Sequence, residues 1–226
     1  MKVTFSLFEK ILWFMSILVI LAVFMLFNNN QYLYLISSLI GVTALLFVSK
    51  GHPLGQLLTV LFSVFYGFIA YQYAYYGEMI TYLGMTAPIA LFALIAWLRN
   101  PYQGRLEEVE IQELSKKSYI YILVIGIIVT LCFYFILDYL NTPLLWMSTL
   151  SIFTSFVASV LTLKRSRFYG LAYAANDIIL MVLWSFASTN DISYIALVIC
   201  FLAFLIHDVY GYFNWTINFK KQKQFA

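Results

Sequence analysis

The chain has 226 residues, of which 63% are hydrophobic and only 10% are charged, with a formal net charge of +3. Soluble proteins carry about a quarter charged residues, so this composition excludes a soluble globular domain and marks an integral membrane protein, with no nucleic-acid partner expected. Two cysteines and two histidines, with no ligand spacing among them, leave no disulfide framework and no metal site, and no cofactor is expected.

Apolar runs fall at about 11–27, 32–49, 54–76, 78–98, 118–138, 143–163, 168–188 and 191–213. Each is about as long as a bilayer crossing requires, so eight transmembrane helices are predicted. The first run ends at Asn28-Asn29-Asn30 rather than at a small-residue cleavage site, and is read as a retained, extra N-terminal span covering 1–30. The turns test this count. All 13 Lys and Arg residues lie in alternate turns: Lys2 and Lys10; Lys50; Arg99, Arg105, Lys116 and Lys117; Lys164, Arg165 and Arg167; Lys220, Lys221 and Lys223. The intervening turns, Asn28–Gln31, Tyr76–Glu78, Tyr139–Thr142 and Ser188–Asp191, hold none. Positively charged turns stay in the cytoplasm, which places both termini there, in a multi-pass membrane protein.

The Arg99–Lys117 connection is the only long one, and its glutamates and Asn-Pro break predict a solvated cytoplasmic hinge. The terminal FKKQKQFA is basic and expected to lie against anionic lipid. Sliding the chain so that Lys50–Gly55 lies over Arg165–Gly170 aligns two basic turns, each ending in a glycine that opens a span. Spans 2–4 and 6–8 run in the same sense. A parallel 3 + 1 + 3 plan follows: a first three-helix repeat over 31–100, the loop and linker helix over 101–141, a second repeat over 142–216, and a basic tail over 217–226.

Polar residues inside spans mark the candidate site. Span 3 carries Gln56, Thr59, Ser63 and Tyr66 along one stripe, with Gln72 two turns on. Span 4 holds Pro88, which removes a backbone hydrogen bond and predicts a kink useful for gating. Ser148, Ser151, Ser155, Ser159 and Thr162 form a small-residue seam on span 6, read as helix packing. Span 7 carries Asp177 at mid-depth, where a carboxylate costs about 2.5–3.5 kcal/mol. Tyr173, Met181 and Trp184 share its face and Asn176 flanks it. These residues form the wall of a polar ligand site, with Tyr173 and Trp184 stacking on a flat ring and Gln56, Gln72 and Tyr66 facing them from span 3. Span 8 contributes His207-Asp208, with Asp208 read as a gate or a solvated carboxylate at the inner rim. No H-E-x-x-H, G-x-S-x-G or Walker sequence is present, and no nucleophile lies beside a base, so no catalytic residue is assigned.

The stretch FYGFIAYQYAYYGEMI, Pro88 with Trp97-Leu98-Arg99-Asn100, Asn176, Asp208-Val209-Tyr210-Gly211 and Asn214-Trp215 together resemble the Pnu family of bacterial vitamin transporters, over about residues 30 to 216. The resemblance implies a SWEET-like fold, a homo-trimer, and facilitated diffusion of nicotinamide riboside or another nucleoside, trapped by a cytoplasmic kinase. It also implies that Asn176 contacts substrate. Where nicotinamide riboside members carry two tryptophans upstream of that Asn, this chain has Tyr169 and Ala172. Deoxynucleosides, thiamine and riboflavin therefore stay open as substrates. A vitamin-binding subunit of an energy-coupling importer and an intramembrane enzyme are the rival expectations.

Overall fold

The computed structural model describes residues 4–27 and 32–224. Lys2, the Asn28–Gln31 turn and the last two residues of the basic tail lie outside them. Among the described residues, eight helices are long and apolar enough to cross a membrane. They are α1 (Leu7–Phe27), α2 (Tyr32–Ser49), α3 (Leu54–Gln72), α4 (Tyr76–Arg99), α5 (Lys116–Tyr139), α6 (Leu145–Leu163), α7 (Tyr169–Ser188) and α8 (Ile195–Gln224). Helices satisfy every backbone group within the segment, which lipid demands. Their outward faces carry apolar side chains such as Phe14, Phe92, Leu131 and Phe135.

Helix α2 packs on α3 and α3 on α4; α6 packs on α7 and α7 on α8. The groups meet through α2 with α8 and α4 with α6, while α5 lies against α6. Helix α1 is held against α2 and α8. Its start is a capping box, in which the Ser6 N–H donates to Glu9 and the Glu9 N–H to the Ser6 hydroxyl (2.7 and 3.2 Å). The buried Glu9 carboxylate also accepts from Lys50 at 2.8 Å and from the Tyr210 hydroxyl at 2.6 Å.

Helix α4 is not uniform. Residues Thr81–Thr86 wind as a π-helix, and Pro88 sits in the first turn of the α-helical part that follows. The proline lacks an N–H and its ring crowds the carbonyl four residues earlier, so the backbone widens by one residue there. The expected kink therefore takes the form of a π-helical turn.

The long connection departs from the solvated hinge expected of it. It folds into a short antiparallel hairpin, β1 (Pro101–Tyr102) and β2 (Arg105–Val109), followed by an ordered strap. Val109 donates its N–H to the Gly51 carbonyl (3.0 Å) and Gln112 to the Arg165 carbonyl (2.9 Å). The strap thus joins the turns that open α3 and α7. Gln222 of α8 clamps it, accepting from the Ile111 N–H at 2.8 Å and donating to Glu108 and to the Val109 carbonyl. Val109 and Ile111 are buried beneath it. Helix α8 extends to Gln224 for the same reason: Phe219 and Gln222 are buried against this strap.

Candidate functional site

Asp177 and Asp208 stand together because α7 and α8 come unusually close. A side chain at Gly170 would collide with the Asp208 carbonyl oxygen, and one at Gly211 with the Tyr169 hydroxyl. The two glycines lie on facing surfaces, so the backbones touch where any larger residue would separate them. Asp177 lies seven residues, almost two turns, beyond Gly170, and Asp208 lies three before Gly211. Asp177 and Asp208 are consequently brought to the wall of the same cavity. Both side chains are buried, Asp177 at 3% exposure and Asp208 at 3%. Asp177 Oδ2 has no donor among the described residues.

The pair lines a cavity of about 50 Å³ in the half of the bundle nearer the basic turns. Its other polar walls are Gln56 and Thr59 of α3, Thr86 of the π-helical turn's end, Thr162 of α6 and Tyr173 of α7. Phe62, Tyr82 and Phe204 close it on the far side. No lysine, arginine or histidine lines it among the described residues. A volume of 50 Å³ holds one or two waters, each of which occupies about 30 Å³ in the liquid. Ligand pockets for molecules of nucleoside size run to about 300 Å³ and more, so a nucleoside enters this cavity only when the surrounding helices move apart.

Two aromatic layers close it. Away from the basic end, the Trp184 indole N–H donates to the Tyr66 hydroxyl at 2.7 Å, tying α7 to α3. Tyr82 packs on Tyr66 with centroids 4.4 Å apart, and Tyr75 and Tyr194 flank Trp184 at 4.9 and 5.5 Å. At the basic end, Trp97 and Trp215 lie 5.4 Å apart with Tyr169 4.7 Å from Trp215. Trp97 of α4 donates to the Thr162 carbonyl of α6 (3.1 Å), and Trp215 of α8 to the Val48 carbonyl of α2 (2.9 Å). Each indole ends its own helix group by bonding to the first helix of the other, and the strap lies beneath both.

Of the residues singled out from sequence, Asp177, Asp208, Tyr173 and Gln56 therefore share the cavity. Trp184 and Tyr66 lie bonded to each other in the aromatic layer. Gln72 ends α3 on an exposed surface. Asn176 points to α6, where its carbonyl accepts from Thr154 (2.8 Å) and Ser155 (2.9 Å), and its amide reaches the Tyr82 hydroxyl. Tyr82 in turn borders the cavity, so Asn176 touches the site through one ring. Pro88 sits in α4 two residues beyond the cavity-lining Thr86.

One buried acid was given no functional role in the sequence reading. Glu78, taken there as part of a turn, has 0% exposure and accepts from the Ser151 hydroxyl at 2.5 Å, while its Oε2 lacks a partner among the described residues. The signal for it was the serine seam on α6. Ser151 serves Glu78, Ser155 serves Asn176 and Ser159 bonds the Tyr173 hydroxyl (3.2 Å). The seam is a packing surface, and it is also the row of hydroxyls that orients the polar groups of α4 and α7.

Comparison with known proteins bears on what such a site carries. A family model described as nicotinamide mononucleotide transporter matches residues 31–217. The nicotinamide riboside transporter PnuC of Neisseria mucosa is 26% identical over 213 residues, covering 92% of this chain and 81% of that protein. Its counterpart in Haemophilus influenzae is 26% identical over 190 residues, covering 83% and 80%. A crystal structure of the vitamin B3 transporter PnuC superposes with a TM-score of 0.85 at 23% identity, covering 97% of this chain and 94% of that one. That likeness is one of fold. All of these relatives are transporters, not enzymes.

Proposed function

The chain belongs to the nicotinamide mononucleotide transporter family, and from that premise we propose that it carries nicotinamide riboside across the bacterial cytoplasmic membrane, with a deoxynucleoside as the second choice of substrate. The observation that carries this reading is the charge of the cavity: two carboxyls and no cation among the described lining residues. A phosphate monoester carries about −1.5 to −2 charges near neutrality and would meet only acid there. The ribosylated pyridinium ring carries a fixed positive charge, which the carboxyls match. At a separation of about 4 Å and an effective dielectric of about 20, one such pairing is worth about 4 kcal/mol before desolvation is subtracted. The lining thus favours the riboside over the mononucleotide of the family's name.

In this reading the basic end faces the cytoplasm, as the complete segregation of Lys and Arg supports. Gln56 and Tyr173 take the ribose hydroxyls and the carboxamide, Asp177 and Asp208 the ring charge, and Asn176 holds Tyr82 at the edge of the site. Trp184 and Tyr66 close the outer side; Trp97 and Trp215 close the inner one. Transport alternates the two closures, with the π-helical turn before Pro88 as the yielding element of α4. The reciprocal indole bonds between the helix groups support the parallel three-helix repeats read from the sequence. A homo-trimer belongs to the same proposal. No energy source acts at the site. The gradient left when a cytoplasmic kinase phosphorylates the substrate drives net uptake.

Uptake of labelled nicotinamide riboside into liposomes holding only the purified chain tests this. Entry of unaltered riboside, saturable and blocked by excess unlabelled compound, is the expected result. Liposomes no more permeable than protein-free ones would refute it.

A further inference from the structure

Helix α1 lines no part of the cavity and lies outside the stretch that the family model matches, 31–217. Its polar side chains nevertheless share one face, since Glu9, Trp13 and Ser16 stand one and two turns apart, and they bond by turns to two different helices. The buried Glu9 carboxylate accepts from Lys50 at the end of α2 (2.8 Å) and from the Tyr210 hydroxyl of α8 (2.6 Å). The Trp13 indole donates to the Thr43 hydroxyl of α2 at 3.2 Å. The Ser16 hydroxyl lies 3.2 Å from Nε2 of His207 of α8. Phe5 packs on Phe47 and Phe8 on Tyr210, each with centroids 5.4 Å apart. Helix α2 opens the first helix group and α8 ends the second, so α1 lies across the seam between the groups and holds both sides. That seam is also tight beneath it. The Asn214 side chain donates to the Ser49 carbonyl (2.7 Å) and Trp215 to the Val48 carbonyl (2.9 Å), and a side chain at Gly41 would collide with Phe204. The opposite seam, α4 with α6, has no such cover. Helix α5 bonds to the α6–α7 turn through Tyr119 and Ser166 (3.1 Å) and makes no hydrogen bond to α4 among the described residues. Helix α4 also carries the π-helical turn.

We propose that α1 is a brace that keeps the α2–α8 seam shut, so that both closures open by parting α4 from α6. This rests on the reading of the chain as a carrier that alternates two closures. Opening the inner side draws Trp97 away from the Thr162 carbonyl and from Trp215, while the Trp215–Val48 bond stays with the braced seam. Opening the outer side parts Glu78 from Ser151. The π-helical turn, Thr81–Thr86, lies between Glu78 and Trp97 and lets the two ends of α4 move one at a time. Glu9 is then a positioning residue. It touches no substrate and acts by fixing the axis about which the groups rock.

Stapling each seam in turn tests this. A Cβ at position 211 would lie 3.8 Å from the Ser49 Cβ, the usual spacing in a disulfide. Ser49→Cys with Gly211→Cys, and Tyr169→Phe to clear the hydroxyl that a side chain at 211 would strike, staples the braced seam. Gly77→Cys with Ser148→Cys, where the Cβ atoms would lie 2.9 Å apart, staples the other after a small parting of the helices. Riboside uptake into liposomes by each full chain is compared with that of the same protein after reduction. The α2–α8 staple is expected to leave most of the rate, and the α4–α6 staple to cut it at least about tenfold, because a conformational step then stops. Uptake blocked by the first staple, or untouched by the second, overturns the brace. Glu9→Ala is expected to lose most uptake and to regain it once the Ser49–Gly211 disulfide is added. A loss that the disulfide leaves unrestored makes α1 a packing element only and overturns the proposal as well. If the wild type takes up no riboside, or a cysteine variant fails to fold, amide hydrogen exchange of the full chain decides. Faster exchange over 41–49 and 204–211 in Glu9→Ala is the expected result, and unchanged exchange there overturns the brace whatever the substrate.

Discussion

Replacing Asp177 by Asn keeps the shape of the side chain and removes one of the two negative charges facing the ring. A full charge pairing at contact distance is worth about 4 kcal/mol at an effective dielectric of about 20. Asp208 remains, and part of the gain is spent on desolvating both partners. A net loss of about 2–3 kcal/mol follows, which is roughly 30- to 150-fold in Kd. The assay is a tryptophan-fluorescence titration of the purified variant, because Trp97, Trp184 and Trp215 lie in the layers bordering the cavity and report its opening. A neutral deoxynucleoside titrated in parallel is the control, and it is expected to weaken less than tenfold. Unchanged affinity for nicotinamide riboside, or an equal loss for both ligands, would refute charge recognition by Asp177.

The contact between α7 and α8 gives a second prediction. Gly170→Ala drives a methyl into the Asp208 carbonyl oxygen, which must shift α8 at a cost of about 1–3 kcal/mol; lower thermal stability together with weaker riboside binding is expected, and an unchanged protein would show that the close approach is not needed. Trp184→Phe removes the donor to the buried Tyr66 hydroxyl, and leaving a buried polar group unpaired costs about 1–3 kcal/mol. Amide hydrogen exchange in the outer halves of α3 and α7 is expected to quicken, whereas unaltered protection would mean that this bond does not hold the outer closure. Gln222→Ala deletes the three hydrogen bonds that clamp the strap. Protease cleavage within 103–112 is expected to rise in inside-out vesicles, and cleavage equal to wild type would detach the strap from any closing role.

The eight spans were legible because hydropathy and the placement of every Lys and Arg are properties of the sequence itself. Asp177, Tyr173 and Gln56 were legible because a polar side chain inside an apolar run has few cheap explanations. Asp208 was harder. The apolar run ends near Phe213, which put the acid at the rim, whereas α8 continues to Gln224 because Phe219 and Gln222 pack on the strap. That strap is glutamate-rich and reads as solvated, since its order comes from bonds to Gly51, Arg165 and Gln222, partners remote in the sequence. Glu78 looked like a turn residue for a similar reason, its hydroxyl partner lying on α6. Phe62 and Phe204 gave no signal at all, because an aromatic residue closing a cavity is indistinguishable in sequence from one facing lipid.

The claim on which the rest depends is that an acidic, cation-free cavity takes the riboside and refuses its phosphate ester. Folded wild-type protein titrated side by side with nicotinamide riboside and nicotinamide mononucleotide at neutral pH tests this most directly. The riboside is expected to bind at least tenfold more tightly. Equal or tighter binding of the mononucleotide would contradict the account.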